Sequence, residues 1–162
     1  MSDRGVFLTA FLTLVLVVAS AFAIPELFIH ELLTSTIFVV IAVMVFFGDD
    51  KFPYMLGMVA PVIWFISSLL MGWFIGDIGA MFRFLSGKPS GPLETPLHGF
   101  AILAGLALII VANRAWRKQV TEAFFGKTFA IALVVSLVWV GIIVFWQFHQ
   151  FAGHAVSTPP AP

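Results

Sequence analysis

The four histidines of this sequence, His30, His98, His149 and His154, are its clearest carriers of chemistry. Imidazole is the commonest metal ligand and can hold a haem iron from the axial side. Glu26 and His30 stand four residues apart, so a helix beginning at Pro25 sets both on one face. His98 lies at the mouth of the apolar run "ETPLHGFAILAG" and shares its helix face with Ala101, Gly105 and Ala112. His149 likewise shares a face with Gly141 and Phe145. A histidine above small residues is what a flat macrocycle lying against a helix requires, which makes His98 and His149 a candidate haem pair. His30, Glu26 and His154, together with His98, form a candidate metal set, although their spacing follows no specific ligand pattern.

A plainer reading of the same residues is preferred. Histidines at helix ends near lipid headgroups hydrogen-bond water, lipid or a neighbouring subunit, and small residues let helices approach closely. The cofactor is left unassigned on this reading, with haem or another macrocycle as the alternative. Other chemistries drop out. There is no cysteine, which excludes disulfides, thiolate metal sites and dithiol redox chemistry. "FFGKT" (124–128) holds Gly-Lys-Thr, but Thr121 stands where a phosphate-binding loop needs its leading glycine. No Gly-x-Ser-x-Gly or His-Glu-x-x-His motif occurs, so no hydrolase is suggested.

The elements that must position these residues are membrane helices. Of 162 residues, 61% are hydrophobic and only 10% charged, with a mean hydropathy of +1.10. A soluble domain of this size has too little interior to hide that apolar surface. A formal net charge of zero offers no general attraction for nucleic acid. A spanning helix needs roughly 20 apolar residues, and five stretches qualify: 6–23, 27–47, 53–76, 97–112 and 128–148. These solid blocks lack the alternation of a β-barrel. The expected fold is therefore a single all-α domain, an integral membrane bundle of five helices, with residues 153–162 as an extended tail. "MSDRGVFLTAFLTLVLVVASAFA" also resembles a signal peptide whose removal would leave four helices; it is read as a retained helix.

Basic residues orient the bundle. With a cytoplasmic N-terminus, Arg4, Lys51, Arg114, Arg117, Lys118 and Lys127 fall inside and only Arg83 and Lys88 outside. The rule that cytoplasmic loops carry the excess of Lys and Arg then puts the N-terminus in the cytoplasm and the C-terminus outside. All four histidines gather on the outer side with Glu26, Glu31, Asp77 and Glu94. "NRAWRKQ" becomes the cytoplasmic anchor loop. In the third helix Ser68, Gly72, Gly76 and Ala80 recur every four residues as a small-residue packing stripe, and Ala101 and Gly105 offer a second. Asp77 beside the stripe is read as having reached the headgroup layer, with 79–85 lying along the surface.

The helix centres, such as "LTLVLVV" and "IFVVIAV", offer an ion almost nothing, whereas transport normally needs polar groups or broken helices at that depth. The expected function is a non-catalytic, multi-pass subunit packed within a larger, for example bioenergetic, membrane complex. Its partners are lipid and other membrane subunits, in a bacterial-type inner or cytoplasmic membrane. The alternative is a haem- or quinone-proximal electron-transfer anchor using the outer histidines. A small transporter or channel component comes third.

Overall fold

The computed structural model describes residues 2–48, 51–88, 95–121 and 123–155, with the backbone alone at residues 2 and 150–155. Among the described residues six helices follow in order: α1 (Ser2–Ala23), α2 (Phe28–Phe47), α3 (Phe52–Leu70), α4 (Trp73–Leu85), α5 (Pro96–Gln119) and α6 (Lys127–Ala155). No strand occurs among the described residues. Among the described residues five stretches are long and apolar enough to cross a membrane: Asp3–Ala23, Pro25–Phe47, Phe52–Leu70, Pro96–Gln119 and Lys127–His149. The protein is an all-α, multi-pass membrane bundle.

Local sequence sets the joints. α1 stops at Ala23 because Ile24 precedes a proline and takes an extended backbone (φ −129°, ψ 90°). Pro25 then opens a short 3-10 turn, Pro25–Leu27, that leads straight into α2. α5 begins on a cap: the Thr95 hydroxyl accepts the Leu97 amide at 3.3 Å, and Pro96 fills the first helical position, where no amide is needed.

The helices close into a ring. α1 packs on α2 and α5, and α3 packs on α2 and α5 from the other side. The backbones of α2 and α5 do not meet, so they face each other across the ring. α6 lies outside, against α3 and more lightly against α2. An aromatic layer joins them: the Phe38 ring meets Trp64 at 5.6 Å and Trp139 at 6.3 Å, both edge-on. The Trp139 indole also donates to the Leu33 carbonyl at 3.0 Å. The outward faces are apolar, Val134, Leu137, Val138 and Phe145 of α6 among them, as acyl chains require.

Three sequence-based boundaries change. The third span does not run unbroken from 53 to 76. It stops at Leu70, and Gly72 turns the chain at φ +78°, a left-handed value that a side chain disfavours. α4 is a separate helix of 13 residues, about 20 Å long at a rise of about 1.5 Å per residue, which is too short to span. The small-residue stripe is cut at that turn. Gly72 is exposed with nothing near it, Ser68 and Gly76 are half-buried, and Ala80 alone is fully buried. α5 continues past 112 to Gln119, so the "NRAWRKQ" segment is helical and not a loop. α6 reaches Ala155, so residues 153–155 of the expected extended tail are helical, and 156–162 lie outside the described residues.

Candidate functional site

Inside one end of the ring four helices contribute one polar side chain each. Glu31 stands in the first turn of α2 and is 1% exposed. One of its oxygens, Oε2, takes His98 Nε2 at 2.8 Å and the Ser20 hydroxyl at 3.1 Å. His98, third residue of α5, turns its other nitrogen, Nδ1, toward Asp77 of α4 at 3.6 Å. Ser20, on the last turn of α1, has a single hydroxyl proton, which it shares between Glu31 and the Val17 carbonyl at 2.6 Å. The order is Ser20–Glu31–His98–Asp77. Because α2 and α5 are not backbone neighbours, the Glu31–His98 pair spans the ring with side chains alone.

A glycine makes this geometry accessible. A Cβ on Gly99 would stand 2.5 Å from the Met81 Cβ and 2.7 Å from the Asp77 carbonyl oxygen. α4 therefore rests directly on the α5 backbone beside His98, which brings Asp77 within reach of the ring. Asp77 is thus packed against His98, with its side chain 15% exposed.

The network is incomplete. Among the described residues Glu31 Oε1 has no hydrogen-bond partner, and the same holds for His30 Nδ1, the Thr34 hydroxyl and Gln147 Nε2. His30 sits next to Glu31 with Nε2 at 4.0 Å from Oε1, its ring 5.2 Å from Trp73. His30, Ser67, Ser68 and Gln147 line a cavity of about 20 Å³. That is room for one water with several polar partners. Buried polar atoms left without partners cost free energy, so their concentration around Glu31 calls for a function.

The chemistry available here is proton exchange. A neutral imidazole has one N–H to give and the imidazolium two. With a carboxylate facing each nitrogen of His98, a proton can be held on the ring or on either acid while the three groups keep their contacts. His30 and Thr34 extend the same polar surface toward the small cavity.

The sequence-derived pairs fare differently. His98 and His149 do not form a facing pair: α5 and α6 do not pack on each other among the described residues, each being packed on α3 instead. His149 is exposed and stacks only loosely on Phe145 at 6.4 Å. The space expected for a macrocycle above Gly105 is taken by the protein's own aromatics, since a Cβ there would meet Phe65 Cζ at 2.9 Å. Ala101 is fully buried, so both residues serve helix packing. Glu26 is exposed whereas His30 is buried, and no group of three metal-ligating side chains occurs among the described residues. His154 falls in the last turn of α6, its side chain outside the described residues, and Glu94 also lies outside them.

Glu31 was visible in the sequence only as an outer-side acid. A stronger signal was present: "HELLTS" puts His, Glu, Thr and Ser within six residues of an otherwise apolar span, the pattern of an inward polar face. Comparison with protein-family models, curated proteins and solved structures gives no match.

Proposed function

We propose that this chain is a proton-relay subunit of a membrane assembly, with Glu31, His98 and Asp77 as the proton-holding groups. The observation that carries the reading is the buried carboxylate–imidazole–carboxylate line with one Glu31 oxygen left unpartnered. Ionisable side chains inside a membrane bundle are expensive and mark proton or ion pathways. Asp77, the more exposed acid, is the port to water under α4. His98 is the shuttle and Glu31 the inner acceptor. His30 and its cavity continue the path toward α6. Because the chain has no catalytic motif, the proton serves transport or redox chemistry in a partner. α6 supports a partner-binding role, since its spanning stretch has the smallest buried share of the five.

The test is a proton count. Purified protein in lipid nanodiscs is taken through a pH step in weakly buffered medium, and proton uptake is read with an indicator dye. Wild type should take up more protons per chain than Glu31→Gln, which keeps the shape and one oxygen but cannot titrate. Equal uptake by the two proteins would leave the cluster as an inert polar staple. The basic asymmetry gives the sidedness: reporter fusions after Lys118 and after Pro162 should report opposite compartments, the first cytoplasmic. The same compartment for both would overturn that orientation.

A further inference from the structure

At the opposite end of the bundle, α5 and α6 both lean on α3 without touching each other, and a cleft of about 730 Å³ opens between them. Its size falls in the range of ligand pockets, roughly 300–1,000 Å³. The walls are apolar: Val62 and Ile63 of α3, Ile109 of α5 and Leu133 of α6. Polarity is confined to one edge, where Asn113 and Arg117 stand one turn apart on α5. Phe124 roofs that edge, its ring 6.5 Å from Trp116 and 5.8 Å from Phe129.

The charge there has one sign. Arg117 is joined nearby in sequence by Arg114 and Lys118, both exposed, and no acidic side chain lines the cleft among the described residues. Two other grooves lack this feature. The one between Phe7, Phe11 and Phe46 is wholly apolar, and the one beside it is lined by an acid, Asp3, as well as by Arg4. A passing acyl chain needs no arginine. An anionic headgroup does, and the planar guanidinium binds a phosphate by two hydrogen bonds at once. Basic pockets between membrane helices select such lipids.

We propose that this cleft holds one anionic phospholipid, with its acyl chain between α5 and α6 and its phosphate on Arg117 and Asn113. The site is independent of the Glu31 centre, which lies at the other end of the helices.

The test uses native mass spectrometry of the full chain, titrated with phosphatidylglycerol or with phosphatidylcholine of matched acyl chains. Wild type should retain one phosphatidylglycerol in preference to phosphatidylcholine by about tenfold. Arg117→Gln should remove most of that preference, and Ile63→Trp, which fills the cleft, should lower retention of both lipids. Lys88→Gln, a charge change at the other end, should leave the preference intact. Circular dichroism checks that each variant keeps its helices. Equal retention of the two lipids by wild type would overturn the proposal, as would an unchanged preference in Arg117→Gln. A neutral quinone co-purifying in the cleft in place of lipid would overturn it too.

Discussion

Each end of the bundle carries a polar knot on a carboxylate, and the two knots are finished differently. At the Arg117 end, Asp3 of α1 accepts the Tyr54 hydroxyl of α3 and the Gln119 amide of α5, the latter at 2.9 Å. This knot ties three helix ends at the rim, where water can complete whatever the protein leaves open. At the other end Glu31 is sealed inside the ring, with Oε2 facing both His98 and Ser20 and Oε1 without a hydrogen bond, 4.0 Å from His30. A polar group meant only to hold helices together gains from full satisfaction, because leaving an atom bare in a low-dielectric interior is costly. Asp3 has the character of a tether. Glu31 has the character of a group kept ready to change its partner or its proton.

The comparison can be broken by stability measurements in detergent. Glu31→Ala strands the His98 ring, and removing one partner of a buried charged pair costs about 3–5 kcal/mol. Asp3→Ala at the rim should cost about 1 kcal/mol or less. Denaturant titration followed by circular dichroism reads both, and equal losses would erase the distinction between the two ends.

A second change sharpens it from the backbone. Gly99→Val drives a side chain into Met81 and the Asp77 carbonyl, an overpacking worth about 1–3 kcal/mol. Met81→Ala should not rescue it, since the obstacles are the Met81 Cβ and a main-chain oxygen. Gly141→Ala is the control, with open space at that position, and should be close to neutral. Rescue by Met81→Ala would mean that α4 is free to move away from α5.

The smallest expected effect concerns the start of α5. Thr95→Val removes the cap on the Leu97 amide and should cost about 1 kcal/mol in the same titration. No measurable loss would mean that Pro96 alone sets the helix start, and His98 with it.

The spanning helices were legible because hydropathy over about 20 residues is a local quantity. "LTLVLVVASAFA" and "TFAIALVVSLVWVG" need no tertiary knowledge to be read as membrane helices. The break at Met71–Gly72 was missed because Gly72 and Gly76 fit two readings, a packing stripe and a turn, and only the positive φ of Gly72 decides between them. The histidine pairing failed for a different reason. α5 and α6 are adjacent in sequence, but each packs on α3 and not on the other, and such an order is a long-range choice. Glu31 was hidden for the same cause: its partners stand 11 and 67 residues away, at Ser20 and His98.

The central claim is that Glu31 exchanges a proton inside the bundle, and infrared difference spectroscopy reads this most directly. Protein in nanodiscs, with glutamate labelled in its carboxyl carbon, is compared between acid and alkaline buffer. Beyond the bands of Glu26, Glu94 and Glu122, wild type should show an isotope-shifted carboxyl band that appears as the pH falls and is missing in Glu31→Gln, with His98→Asn altering its position. Superimposable difference spectra of wild type and Glu31→Gln would contradict it.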